Sequence, residues 1–376
     1  MMNSQKDFNE AFEFHSGVRL RNRVVMSPMT TVQSFFNGTV TEDEIAYYRE
    51  RATGVGAVIT GSANVQDGGK GWPGELSIAH DAQLPELTKL ASAIHDGGAK
   101  AIVQIFHGGR MSEPDALRGK QAVSASAVPA EHRDPNVPTP TPRMMTVSEI
   151  HETVKAFGDA TRRAITAGFD GVELHGANTY LFQQFFSPHS NRRTDEYGGS
   201  LEKRYRFIDE ALHEIFKVVQ ANAKTPFAVG YRFSPEEFTN PGISFTDTHY
   251  LISKLIASPL DYLHLSLDDY KRVSIDPDYQ GKPILNYVND AIDGAKPLIG
   301  VGGVRSREDV NNVLENADIV AVGQQLLVDP YWVQKLINGA DDEMVTADFV
   351  KAIEYVHFAR PLYDFLVARY QSIPNV

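Results

Sequence analysis

Eight short apolar segments recur along the chain, and most are apolar at nearly every position. A continuous apolar run, unlike an alternating one, is typical of a strand that is buried on both faces of a parallel sheet. The predicted strands cover residues 23–29, 55–62, 100–107, 168–176, 226–234, 260–267, 297–304 and 318–327. Their even recurrence limits the possible folds more than any other feature of the sequence.

Helical stretches lie between these strands. Two of them begin with Thr and Glu at the spacing of a capping box, Thr41 with Glu44 and Thr146 with Glu149. Strand followed by helix, eight times over, predicts an α/β protein with a closed (β/α)8 barrel, the TIM barrel. A doubly wound open sheet is the second alternative.

The chain is predicted to form a single domain over residues 1–376. A barrel of this kind accommodates 200 to over 400 residues in one unit, about the length seen here. The longest interruption runs from about residue 108 to 145, between strands three and four, and contains PNVPTPTPR. A segment of this length is usually a lid, a binding loop or an inserted hairpin.

Charge and composition limit which binding partners and which chemistry this chain is expected to have. The formal net charge of −12 disfavours nucleic acid and anionic membranes, which both attract basic surfaces. The absence of cysteine excludes disulfides, thiolate nucleophiles and cysteine-ligated iron–sulfur clusters. No apolar run reaches 18 residues and the N-terminus lacks a signal-peptide core, so a cytoplasmic location is expected.

Polar residues or glycines end all eight predicted strands, at the face where barrels of this type carry their active sites. They are Thr30, Gly61, Gln104 with His107, His175 with Asn178, Arg232, Ser266, Gly302 with Gly303, and Gly323 with Gln324. Gln104 and Arg232 stand inside apolar runs, where a buried side chain needs a partner. A bound polar ring system would supply one.

The stretch VELHGANTYL carries His175, Asn178 and Tyr180 within six residues. Each of these side chains can exchange a proton or hold an oxygen, which makes the stretch a candidate catalytic site. The histidines elsewhere show no metal-ligand spacing such as H-E-x-x-H, so no metal site is predicted.

Four stretches of the chain resemble the old yellow enzyme family of FMN-dependent ene-reductases and NAD(P)H:flavin oxidoreductases. They are NRVVMSPMT (22–30), VQIFHGGR (103–110), GFDGVELHGANTYLFQQFFSPHSNRRTDEYGGSLEKRYRF (168–207) and DIVAVGQQLLVDP (318–330). The resemblance covers roughly residues 8 to 340 and implies the same (β/α)8 fold. It also implies FMN as cofactor and NADH or NADPH as reductant.

The resemblance assigns residues to the flavin ring. Pro28, Met29 and Thr30 would line one edge, with Thr30 donating to the C4 carbonyl. Gln104 and Arg232 would hold the pyrimidine end, where positive charge favours the reduced, anionic ring. The alternative for Arg232 is a buried ion pair with a nearby glutamate.

Glycines after the later strands would bind the FMN phosphate through backbone N–H groups. They are Gly302, Gly303 and Gly323, and Gly61 is counted with the cofactor contacts. Most family members have Gly-Arg where this chain has Gly323 and Gln324. A neutral side chain there should lose roughly 1 kcal/mol or more of phosphate binding. The nearby Arg305 could compensate.

His175 and Asn178 would donate hydrogen bonds to a substrate carbonyl, while Tyr180 delivers a proton to the α-carbon. The sequence therefore predicts hydride transfer from NAD(P)H to an activated, enone-type alkene or a similar small electrophile. Two alternatives stay open: a lyase-type enzyme on the same barrel, and a binding protein without catalysis. Homo-oligomerisation is compatible with the sequence.

Overall fold

Eight parallel strands close into a barrel in a computed structural model that describes residues 6–131, 139–345, 356 and 359–370. In chain order the strands are β1 Phe12–Glu13, β2 Arg19–Leu20, β3 Val24–Met26, β4 Ala57–Ile59, β5 Ala63–Asn64, β6 Lys100–Phe106, β7 Val123–Ser124, β8 Arg143–Met144, β9 Gly171–Gly176, β10 Ala228–Phe233, β11 Tyr262–Leu265, β12 Leu298–Val301 and β13 Ile319–Val322. The barrel runs β3–β4–β6–β9–β10–β11–β12–β13, and β13 pairs with β3 to close it. The predicted (β/α)8 barrel is confirmed, and the open sheet is excluded.

Helices surround this barrel. They are α1 Glu42–Arg51, α2 Leu84–Asp96, α3 Val147–Ala167, α4 Leu181–Phe186, α5 Leu201–Asn222, α6 Phe245–Ala257, α7 Ile284–Ile292, α8 Arg307–Leu314, α9 Gln324–Val328, α10 Trp332–Asn338 and a last described helix, Arg360–Tyr370. Single 3-10 turns cover Asp67–Gly69, Asp81–Gln83, Gly109–Met111, Pro277–Tyr279 and Asp341–Glu343. Among the described helices, none is both long and apolar enough to cross a membrane.

The two predicted capping boxes differ in the structure. At α3 the box is complete, because Thr146 and Glu149 each bond the other's backbone N–H. At α1 the Thr41 hydroxyl accepts from the Glu44 N–H, but the Glu44 carboxylate turns inward. It accepts instead from the Thr31 hydroxyl at 2.6 Å. Glu44 therefore ties the loop after β3 to α1.

The predicted last strand was too long. Residues 318–327 were expected to be extended, whereas β13 ends at Val322 and α9 begins at Gln324. The buried Leu326 and Leu327 belong to α9, and a short apolar run cannot separate a strand from a buried helical turn.

Among its described residues, the long segment between β6 and β9 forms no antiparallel hairpin. Its described part contributes β7 and β8, which pair in parallel, and residues 132–138 lie outside the described residues. At the N-terminal end of the barrel, β1 and β2 form an antiparallel pair. Phe14, Val18 and Leu20 of this region join the apolar interior, where Phe14 stacks on Tyr262 at 5.2 Å. Sequence periodicity did not reveal this closure.

Candidate active site

A cavity of about 940 Å³ opens at the carboxyl ends of the barrel strands. Eight of the predicted site residues line it: Pro28, Met29, Thr30, Gln104, His175, Asn178, Tyr180 and Arg232. They come from segments that are far apart in the sequence. The barrel brings them together because its parallel strands all end at the same face.

Gln104 belongs to a buried polar network inside the barrel. Its Nε2 donates to Oε1 of Glu173 at 2.6 Å, and His264 Nδ1 lies 2.8 Å from Oε2. Burial by itself would raise the pKa of the Glu173 carboxyl. The bonds from His264 and Gln104, with the charge of Arg232, outweigh burial and hold that pKa below its ordinary value. Glu173 is therefore an anion, and an anion only accepts hydrogen bonds.

Arg232 is buried beside this network. On the paired strands it stands opposite His175 on one side and His264 on the other. Its Nε has no hydrogen-bond partner, and it forms no ion pair with any residue that the structure describes. Burial lowers the pKa of the guanidinium, and the charge of Glu173 raises it through space. The alternative of a direct ion pair is thus not realised here.

His175 is a neutral imidazole in this site. Burial, followed by the charge of Arg232, lowers its pKa well below the ordinary value. Its Nδ1 is buried without a partner. The rings of Tyr180 and Phe106 lie 4.7 Å and 6.2 Å from the imidazole ring. A neutral imidazole can donate from one nitrogen only, so it can serve one oxygen.

Asn178 sits in a strained turn after β9. Asn178 and Thr179 have φ values of 56° and 66°, a region that residues other than glycine rarely adopt. The turn is held from outside, because the Asn178 N–H donates to Ser234 Oγ at 2.9 Å. Ser266 Oγ donates to Asn178 Oδ1 at 3.0 Å, which leaves the amide Nδ2 as a donor.

Tyr180 stands on an aromatic wall immediately before α4. Its ring meets Phe106 at 5.0 Å and Trp72 at 5.9 Å, both edge to face. This geometry is favourable for aromatic pairs and restricts the tilt of the phenol. The phenol is thereby held within the same cavity as His175 and Asn178.

The five remaining predicted residues, which are Gly61, Gly302, Gly303, Gly323 and Gln324, do not line this cavity. Gly302 and Gly303 have φ values of 121° and 64°, a backbone conformation that favours glycine. A Cβ on Gly61 would lie 2.4 Å from the Met29 carbonyl oxygen, so close packing explains that glycine. Gln324 accepts a hydrogen bond from Arg305 Nη2 at 3.0 Å.

Sequence reasoning missed several residues of the site. Glu173 and His264 were not predicted, although each is a polar residue inside an apolar strand. The same signal identified Gln104 and Arg232 and would have found them. Asp268, in the loop after β11, also lines the cavity.

Five carboxylate side chains line the cavity, and three of them are exposed to solvent. The five are Glu113, Glu131, Glu236, Glu237 and Asp268. The guanidinium of Arg110 pairs with Glu131 at 3.0 Å, and Arg272 lies 3.5 Å from both Glu236 and Asp268. Together these side chains therefore carry a net negative charge. In the described chain no group of three or more His, Asp or Glu residues could hold a metal ion.

Comparison with known proteins places this geometry in a family. A model of the NADH:flavin oxidoreductase / NADH oxidase family matches residues 10–343. The chain belongs to this family. The predicted membership in an NADH:flavin oxidoreductase family is thereby confirmed, as is FMN as the family's cofactor.

Relatives of this chain in the family differ in length. NADH:acrylate oxidoreductase of Vibrio harveyi is 45% identical over 94% of this chain, which spans 35% of that relative. The probable NADH-dependent flavin oxidoreductase YqiG of Bacillus subtilis is 41% identical, with 98% of both chains covered. The structure of morphinone reductase in complex with tetrahydroNAD has a TM-score of 0.77 and 26% identity, covering 94% of this chain and 97% of that one.

The residues of the cavity fit the FMN of this family. Arg232 Nε is a buried polar atom without a hydrogen-bond partner among the described residues. Leaving such an atom unsatisfied costs about 1–3 kcal/mol, so a polar ligand at this position would offset the loss. Gln104 adds a further polar side chain to the same cavity wall. This donor and acceptor set suits the polar edge of a flavin ring.

Proposed function

We propose that this chain is an FMN-dependent oxidoreductase that takes hydride from NADH or NADPH and passes it to an activated, enone-type alkene. The observation that carries the proposal is a single cavity with two polar sets. Gln104 and Arg232 form one, while His175, Asn178 and Tyr180 form the other. The first suits a flavin ring, and the second suits a carbonyl compound next to it.

Gln104 and Arg232 would hold the pyrimidine end of FMN, and Pro28, Met29 and Thr30 would line its other edge. When bound, FMN supplies the ring that accepts and then donates hydride. Arg232 stays positively charged beside that ring, which stabilises negative charge there. Its burial strengthens this effect, because little water screens it.

The phosphate end of FMN would lie at the turns that follow β12 and β13. Gly302, Gly303 and Gly323 would approach it with backbone N–H groups, as phosphate sites of such barrels do. Gln324 takes the place of the usual arginine, and Arg305 donates to its Oε1. Arg305 would supply the positive charge that Gln324 lacks. Gly61 supports Met29 by close packing.

His175 and Asn178 would bind the substrate carbonyl oxygen between them. The neutral imidazole of His175 donates one hydrogen bond, and Asn178 donates the second from Nδ2. Ser266 keeps Asn178 in the donating orientation by bonding its Oδ1. Two donors at one oxygen withdraw electrons from the conjugated alkene and make its β-carbon electrophilic.

Tyr180 would act as the general acid that delivers a proton to the α-carbon. Its ring is fixed by Phe106 and Trp72, so the phenol does not swing freely in the cavity. A fixed donor lowers the entropy that must be lost to reach the reacting geometry.

A lyase-type reaction on this barrel receives less support. A Schiff-base mechanism requires a lysine in the cavity, and none lines its described part. A protein that binds flavin without catalysis would be distinguished from our proposal by the absorption spectrum, because its flavin bands would not bleach with NADH or NADPH. The single domain over 1–376, the cytoplasmic location and homo-oligomerisation stay predictions.

The visible absorption spectrum of the purified protein tests the proposal. We expect flavin bands, present on purification or after addition of FMN, that bleach when NADH or NADPH is added without oxygen. An enone should then restore the bands. Protein that stays colourless after incubation with FMN would overturn the proposal. Bands that never bleach with either nucleotide would indicate a flavin-binding protein without this activity.

A further inference from the structure

Glu173 lies fully buried in the barrel interior, directly opposite Gln104 on the neighbouring strand. Both of its oxygens are engaged, Oε1 by Gln104 Nε2 at 2.6 Å and Oε2 by His264 Nδ1 at 2.8 Å. Gln104 and His264 are buried as well, so water does not compete for these bonds. The carboxylate is therefore fixed in position from two sides.

This arrangement determines which end of the Gln104 amide faces the cavity. A side-chain amide has one donating end and one accepting end, whereas a carboxylate only accepts. Turning the amide over would bring two acceptors together in a buried site, which is costly. Nε2 must therefore face Glu173. The carbonyl Oε1 is then the polar atom that Gln104 offers to the cavity it lines.

We propose that Glu173 is a positioning residue of the cofactor site, which fixes Gln104 so that its Oε1 accepts a hydrogen bond from the flavin ring N–H. The inference rests on the proposed function. The pyrimidine end of a flavin carries one N–H between two carbonyl groups, so an acceptor at that point matches it. His264 contributes by holding the second oxygen of Glu173 in place.

Glu173→Gln tests this role, because it keeps the size of the side chain but lets either end of Gln104 face it. FMN binding is measured by quenching of flavin fluorescence, together with the visible bands of the bound ring. We expect binding to weaken by up to about tenfold, as for loss of one hydrogen bond between uncharged groups, with shifted bands. In a Gln104→Ala background, Glu173→Gln should cause no further loss.

Asp261→Asn is the matched control. Asp261 is also a buried carboxylate with both oxygens bonded, to the N–H groups of Ser16 and Val229. It stands at the N-terminal end of the barrel, where β11 begins, far from the cavity. The control should bind FMN as the unmodified protein does.

Three results would overturn the inference. The first is an FMN affinity and visible bands that do not change in Glu173→Gln. The second is a loss of FMN affinity from Glu173→Gln that is equally large with Gln104 and with Gln104→Ala. The third is a loss of FMN affinity in Asp261→Asn as large as that in Glu173→Gln. If Glu173→Gln does not fold, Glu173→Asp is used to test the inference instead. Its shorter carboxylate still only accepts, so we expect weaker FMN binding with normal bands, and unchanged affinity would contradict us. Failure of the unmodified protein to bind FMN would instead overturn the proposed function.

Discussion

Arg305 Nη2 donates a hydrogen bond to Gln324 Oε1 at 3.0 Å. This bond joins the turn after β12 to the first residue of α9, where the family commonly has an arginine. Burial lowers the pKa of Arg305, but an arginine side chain stays charged at neutral pH. The positive charge of this region therefore lies on Arg305 instead of on residue 324. The Gln324 side chain orients this arginine through the hydrogen bond.

Arg305→Ala should weaken FMN binding by about tenfold or more, since charge-assisted bonds to phosphate contribute roughly 1.5–3 kcal/mol. Fluorescence titration with FMN and with riboflavin, which lacks the phosphate, measures the effect. The loss should appear with FMN only. Arg307→Ala is the control, because Arg307 pairs with Asp341 instead. Equal losses with both ligands would contradict a role at the phosphate.

Gln324→Arg should tighten FMN binding and make it more sensitive to salt. The substitution adds a second positive charge beside Arg305, which a phosphate dianion would satisfy and which ions would screen. Titration at low and at high ionic strength measures both effects. Affinity that falls at every salt concentration would show that the phosphate binds elsewhere.

Loss of the carbonyl donors or of the acid should slow alkene reduction without releasing FMN. We expect Asn178→Ala to reduce the rate about 10²–10³-fold, as for other oxyanion donors. Tyr180→Phe keeps the ring packing and removes the proton, for a loss of about 10²–10⁴-fold. Stopped-flow reoxidation of the reduced protein by 2-cyclohexenone measures both. Tyr279→Phe is the matched control and should behave normally, because Tyr279 ends the 3-10 turn Pro277–Tyr279 and packs on Phe245 rather than lining the cavity.

NADH should be the better donor of the two nicotinamides. Exposed carboxylates such as Glu113 and Asp268 line the cavity, and Arg110 and Arg272 are already paired there. The extra phosphate of NADPH would be repelled, so we expect kcat/KM for NADH to exceed that for NADPH by about tenfold or more at low salt. Asp268→Asn should narrow this gap. A preference for NADPH at low salt would contradict the argument.

The free energy of unfolding should decrease as the pH is lowered from neutral to mildly acidic values, because His107 is buried as a neutral imidazole. Burial lowers its pKa from 6.5 to about 4. Its Nδ1 accepts the Gly109 N–H at 3.0 Å, which only a neutral imidazole can do. The unfolded chain binds the proton first, so this contribution is fully present above pH 6.5 and is lost as the pH falls towards 4. The full shift corresponds to about 3 kcal/mol.

Urea unfolding at several pH values between 7 and 4.5 measures this dependence. His107→Asn keeps an acceptor near the Gly109 N–H but cannot titrate, so its unfolding free energy should depend less on pH. His175 and His264 are also buried with lowered pKa values and contribute in the same direction. A variant that keeps the full pH dependence would exclude His107 as its source.

The sequence by itself determined the barrel and part of the site. Eight apolar runs separated by helical stretches are enough for a closed parallel sheet, because strands buried on both faces need no alternation. Gln104 and Arg232 were visible as polar residues inside such runs, and His175, Asn178 and Tyr180 through their spacing. These signals depend only on residues that are close together along the chain, so the sequence alone reveals them.

Only the tertiary structure decided which polar groups meet. The bonds from Gln104 and His264 to Glu173 join three strands, and their residues are 69 and 91 positions apart. The bond between Arg305 and Gln324 likewise crosses from one turn to another. Each strand fixes its side chains only relative to its own backbone. Closure of the barrel sets the register between strands, and that register decides which donor faces which acceptor.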